Sequence, residues 1–179
     1  MKKLILTIVS TCLLSSCIII NDDGYRFLSD EEKTHVKVLD KSINDLANDG
    51  NIYRIDISQM QDFLNSHEKV IVYEYLSYCK SDHCLSPAAI EDMCIKAGIT
   101  PCLVLQSYSG AFMLPKMKTP VLVVDKENYK KKEYCKQFFD DLTNTTYKTR
   151  GYGRYYYFRN GQYIKCIDNI LTEDLSVLE

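Results

Sequence analysis

The chain has 179 residues, 46% of them hydrophobic, which is enough apolar length for one domain with its own core. Its 22 basic and 24 acidic side chains nearly cancel and are scattered, which excludes a basic nucleic-acid-binding face. Fourteen tyrosines with no tryptophan suit half-buried strands, where the ring packs and the hydroxyl reaches a polar partner.

The chain opens with Met1-Lys2-Lys3 and an apolar run from Leu4 to Leu14. The lysines hold the N-terminus at the cytoplasmic face while the apolar run enters the membrane as a signal peptide. The run is too short, and too closely followed by Cys17, for a spanning helix. Leu14-Ser15-Ser16-Cys17 resembles the lipobox of bacterial lipoproteins. That resemblance implies cleavage before Cys17 and acylation (palmitate among the chains) of its thiol, and places the protein in the cell envelope. The outer membrane is the expected site, with the leaflet left open, since Asp22-Asp23 is a thin basis for a surface-export signal. The expected division is a signal peptide over 1–16, a lipidated tether over 17–28, an N-terminal helix over 29–50 and a domain over 51–179. Cleavage removes Lys2 and Lys3, taking the net charge from −2 to −4.

Beyond the tether, Ser29-Asp30-Glu31-Glu32 has the form of a capping box. Val36, Leu39, Ile43 and Leu46 follow at helical spacing, and Gly50 supplies a stop, so a helix is expected from about 30 to 48. Ile52 to Ile57 alternates as a short strand, and Ser58 caps a helix whose inner face is Met60, Phe63 and Leu64. Lys69 to Leu76 is β-branched and aromatic enough for a central strand, ending at Ser77-Tyr78-Cys79. Ser86-Pro87 starts a helix with Ile90, Met93, Cys94 and Ala97 inward and Gly98 at its end. Cys102 to Gln106 and Val121 to Val124 are short buried strands, the second introduced by Thr119-Pro120. Lys130-Lys131-Lys132 reads as a solvated helix start, within a helix from about 127 to 143 marked by Tyr134, Cys135, Phe138, Phe139 and Leu142. Arg154 to Arg159 and Gln162 to Asp168 flank Asn160-Gly161, the pair a two-residue type I′ turn needs. That register sets Tyr157 opposite Ile164 and Tyr155 opposite Cys166, with these four on one face and Tyr156, Phe158, Tyr163 and Lys165 on the other. A short helix from about 172 to 178 follows, with Leu175 and Leu178 inward.

The order strand, cysteine-bearing turn, helix, strand, helix, hairpin resembles the thioredoxin fold. The residues that carry the likeness are Val70 to Leu76, Ser77-Tyr78-Cys79, the helix after them and the closing Tyr155 to Gln162. The whole chain is similar to Bacteroidota-type lipoproteins of this shape, and Val121 to Asp125 looks like an insertion found in exported members. The resemblance implies an α/β domain with a thioredoxin-like central mixed sheet flanked by helices. It also implies a Cys-x-x-Cys pair at a helix N-terminus, a cis-proline facing it and a buried carboxylate in the central strand. This chain departs from each. Its pair is Cys79-Lys80-Ser81-Asp82-His83-Cys84, whose sulfurs meet only if the segment is a loop. Arg150-Gly151-Tyr152-Gly153-Arg154 has no proline, and Thr119-Pro120 precedes a different strand. Tyr73 stands at the carboxylate's position, while Glu74 is one residue away and so on the opposite face, expected beside a lysine or partly exposed.

Of eight cysteines, Cys12 leaves with the signal and Cys17 takes lipid, so six remain. Cys79 and Cys84 are open to three readings: an exchanging pair, a static disulfide stapling the turn, or two free thiols. A metal site of Cys79, His83 and Cys84 lacks a fourth ligand. As an active pair, Cys79 is the nucleophile and Cys84 the resolving thiol, supported by Lys80 and His83 and opposed by Asp82. Cys94, Cys102, Cys135 and Cys166 fall in apolar patterns and are assigned to packing. No Gly-rich phosphate loop, carboxylate pair or Ser-His-Asp arrangement stands out, so no cofactor or metal is expected. The leading expectation is a lipid-anchored thiol–disulfide oxidoreductase acting on exported thiol proteins. Its rival is a non-catalytic binding or structural module of the envelope, with Tyr152, Tyr155 and Tyr156 as a contact face.

Overall fold

The computed structural model describes residues 23–77, 85–129, 133–151 and 153–178. The expected signal peptide, Cys17 and the segment holding Cys79 and Cys84 lie outside the described residues. The protein is α/β, with one seven-stranded mixed sheet flanked by helices. The strands are β1 (Val36–Val38), β2 (Ile52–Ile55), β3 (Lys69–Tyr75), β4 (Thr100–Leu105), β5 (Val121–Val124), β6 (Tyr155–Arg159) and β7 (Gln162–Ile167). Across the sheet they run β1-β2-β5-β4-β3-β6-β7. The first five are mutually parallel, and β6 and β7 add as an antiparallel hairpin on β3. Strands β3, β4 and β5 are near-continuous apolar runs because both of their faces are covered.

Helix α1 (Asp30–Thr34) has the expected capping box, Ser29 accepting from the Glu32 amide and Glu32 accepting from the Ser29 amide. It stops after five residues, so the long N-terminal helix expected over 29–50 is corrected to one turn, then β1, then a 3-10 turn at Ile43–Asp45. The apolar spacing did not mark one helix face. Val36 packs on one side of the sheet and Leu39, Ile43 and Leu46 on the other. Val36 to Val38 pairs with β2, the ladder suiting two β-branched valines.

Helices α2 (Ile57–Asn65) and α4 (Tyr134–Thr143) cover one face of the sheet, α3 (Pro87–Lys96) the other. Met60, Phe63, Leu64, Phe138 and Phe139 fill the first layer; Ile90, Cys94, Tyr73, Tyr155 and Tyr157 belong to the second. Asp56 caps α2 through the Gln59 amide at 2.9 Å, not the Ser58 expected. Ser86 caps α3, with Pro87 at its first position. Helix α4 is shorter than the 127–143 expected, a 3-10 turn at Lys126–Asn128 preceding it. A further turn, α5 (Tyr147–Arg150), leads to the hairpin, and the C-terminal segment ends in a 3-10 turn at Leu175–Val177 with Leu175 and Leu178 buried.

The hairpin turn is as expected, Asn160 and Gly161 having φ of 48° and 77°. Its register is not. Phe158 pairs with Tyr163 but Tyr157 pairs with Lys165, so Ile164 is an extra residue, a β-bulge. Beyond it every partner moves by one. Tyr156 faces Cys166, Tyr155 faces Ile167, and Cys166 joins the layer of Tyr156 and Phe158 rather than that of Tyr155.

Candidate functional site

The C-terminal ends of parallel strands are where α/β sheets bind ligands, above all where neighbouring connections leave for opposite faces. Here that divergence falls between β4 and β5. The chain after β4 packs through Tyr108 and Ala111 on the α3 face, whereas the chain after β5 leads to α4 on the other. Asp23 bridges this crevice: its carbonyl accepts from the Tyr108 amide at 2.7 Å and its carboxylate meets Lys126 at 2.7 Å. Residues 23–28, expected as the end of a tether, thus pack onto the domain, with Asp23 and Leu28 buried. Arg54 at the end of β2 pairs with Asp125 at 3.0 Å, and Tyr134 at the start of α4 donates to the Gln106 carbonyl at 2.9 Å.

The same rim continues to the end of β3, which is described as far as Ser77. Cys79 and Cys84, with Lys80, Asp82 and His83, lie outside the described residues, and α3 begins at Pro87, after both cysteines in sequence. Beneath the start of α3 stands Tyr73, donating to the Leu85 carbonyl at 2.9 Å, its phenol pushed up by burial and by the neighbouring Tyr155. Glu74 points to the opposite face, as the one-residue offset requires. Its surroundings differ from expectation: it is buried, and it accepts from Tyr156 Oη at 2.5 Å and from Gln106 Nε2, with no lysine paired to it among the described residues. Thr119-Pro120 leads into β5 through a trans peptide. There the Glu91 carboxylate binds the Lys118 amide at 2.9 Å and the Thr119 amide and hydroxyl, each at 2.5 Å.

Glu74, Gln106, Tyr156, Arg150, Arg154 and Lys136 line a polar cavity of about 210 Å³ on this rim. Arg150, its side chain 2% exposed, pairs with Asp140 at 2.5 Å and lies 5.2 Å from the Tyr156 ring centroid. Its Nε has no hydrogen-bond partner among the described residues. No sequence signal announced this group, because Glu74, Gln106, Arg150 and Tyr156 belong to four separate segments. Gly153 lines it too, where a Cβ would stand 2.3 Å from the Ile167 carbonyl oxygen.

The four described cysteines are free. Burial pushes the thiols of Cys94, Cys102 and Cys135 up to about 12 and that of Cys166 up to about 11. A thiol so raised supplies almost no thiolate at neutral pH, so all four are packing residues. Tyr155 and Tyr156, expected as part of a contact face, are buried and cannot form one; Tyr152 lies outside the described residues. Among the described residues no group of three His, Cys, Asp or Glu side chains could hold a metal ion, and no helix is long and apolar enough to cross a membrane. Compared with protein-family models, curated proteins and solved structures, the chain gives no match.

Proposed function

We propose that the protein is an exported, thioredoxin-like lipoprotein, acylated at Cys17, that exchanges disulfides with envelope thiol proteins through Cys79 and Cys84. The observation that carries the exchange chemistry is the state of the other thiols. Cys94 and Cys102 are buried, Cys135 and Cys166 half-buried, and burial raises all four thiols, so reactivity falls to the two cysteines that follow β3. The fold reading draws support from the succession of β3, α3 and β4, with a β6–β7 hairpin on the free side of β3 and β5 as an inserted strand. In the step, the Cys79 thiolate attacks a substrate disulfide, forming a mixed disulfide and releasing one substrate thiolate. Cys84 then attacks the Cys79 sulfur and releases the second, leaving the pair oxidised and the substrate reduced by two electrons.

Reduction of insulin by the Cys17→Ser chain tests this. With a small-molecule dithiol supplied to re-reduce the Cys79–Cys84 disulfide after each cycle, turnover that vanishes in Cys79→Ser is expected. A Cys79–Cys84 reduction potential below about −300 mV, the range of resistant structural disulfides, overturns it. The second reading, a non-catalytic binding module, is favoured by one observation: beneath α3 a tyrosine, Tyr73, stands where the family keeps its proton-handling carboxylate. Absence of insulin reduction under several reductants supports that module.

A further inference from the structure

Phe27 is 74% exposed and Met113 88%, although both are large and apolar. They are not scattered. Both line one groove of about 210 Å³, together with Leu28, Tyr108 and Phe112. The groove adjoins the point where the described chain begins: a Cβ on Gly24 would stand 3.3 Å from the Ser109 amide, and Asp23 is fixed by Tyr108 and Lys126. Five residues, a path of six Cα–Cα steps, separate Asp23 from Cys17. A chain of that length reaches about 20 Å at most, so lipid on Cys17 keeps this groove close to the bilayer.

We infer that the Phe27–Met113 face rests on the surface of the bilayer that holds the acyl chains of Cys17. The inference rests on the Cys17 anchor proposed above. An acyl anchor limits distance but leaves orientation free, and apolar side chains on the folded domain supply the second contact that sets orientation. Arg26 lies 4.6 Å over the Phe27 ring, the arrangement in which a cation meets headgroups while the ring enters the apolar boundary. Glu32, the one acidic lining residue, is already tied to Ser29 in the cap of α1. This orientation turns the C-terminal rim toward lipid, because Gly110 of the same groove lies next to Ser77, two residues past β3: a Cβ on Gly110 would stand 3.2 Å from the Ser77 Cβ.

The test uses the full chain in phosphatidylethanolamine–phosphatidylglycerol vesicles, with p-benzoylphenylalanine replacing Phe27 or Met113, or Ile164 on the far edge of the sheet as control. Illumination is expected to give lipid adducts at positions 27 and 113, several-fold above those at 164. Equal yields at all three positions, adducts to a second copy of the chain, or adducts to residues 18–22 overturn the inference. The mass of the N-terminal peptide, acylated or bare, reports the anchor separately, so failure of the docking face is distinct from failure of the lipidation.

Discussion

Three buried or part-buried polar contacts tie separate elements together, and each makes its residue expensive to change. Glu91 holds two amides and a hydroxyl of Lys118-Thr119 and so sets where β5 starts. Burial alone would raise its carboxyl. The bonds from Thr119 and Lys118 outweigh that and leave it below its ordinary 4.5. The folded protein therefore binds fewer protons here than the unfolded chain. Its contribution to stability is complete above the unfolded value and is lost as pH falls through the lowered folded value. Urea midpoints followed from about pH 6 down to 3 are expected to fall less steeply in Glu91→Gln than in the parent. Tyr156 is the second case. Tyr156→Phe leaves the buried Glu74 carboxylate with Gln106 as its one hydrogen-bond partner among the described residues and is expected to cost about 1–3 kcal/mol in urea unfolding. Arg150 and Asp140 form the third.

At the scale of elements, the hairpin explains why β7 has two characters. Its turn obeys local chemistry: Asn160 and Gly161 both hold positive φ, and a Cβ on Gly161 would stand 1.9 Å from Asn65 Oδ1. Gly161→Ala is expected to destabilise by about 1 kcal/mol, part of it recovered when Asn65 is also shortened, as a double-mutant cycle of thermal melts would show. The bulge at Ile164 gives β7, an edge strand, an irregular outer side, with Ile164 45% exposed and Lys165 next to it. Bulges and lysines are the usual guards of an open edge against pairing with another chain. The opposite edge is guarded by brevity, since β1 has three residues.

For the molecule as a whole, the sheet separates two apolar layers, and each layer holds thiols that water does not reach. Cys94 lies in the layer under α3 and Cys102 in the layer under α2 and α4. In the folded protein Cys94, Cys102 and Cys135 are expected to resist alkylation and to react together when the sheet unfolds, while Cys79 and Cys84 set the fast phase if reduced. Differential alkylation with peptide mass spectrometry checks this. Fast labelling of Cys102 in the native protein would contradict the packing described, since it is buried against Met60, their sulfurs 3.9 Å apart. The rim between the layers carries the polar chemistry, because there strand ends expose backbone groups and connections part.

Much of this fold is legible along the chain. The apolar runs of β3, β4 and β5, the Ser86-Pro87 helix start and the Asn160-Gly161 turn are local in origin, so their residues alone specify them. Spacing failed where two structures share one pattern: Val36, Leu39 and Ile43 suit a helix face, yet pairing of β1 with β2 sends them to opposite layers. A bulge is equally silent, because one extra residue in β7 is defined only against β6. The rim cavity was illegible for the same reason, its Glu74, Gln106, Arg150 and Tyr156 being brought together by the order in which strands enter the sheet. By itself, then, the sequence determined the elements whose signals lie within a few residues, and the proposed anchor and thiol pair rest on it alone. Only the tertiary structure decided register, layer and which distant polar groups meet, since those depend on burial and pairing across the whole chain.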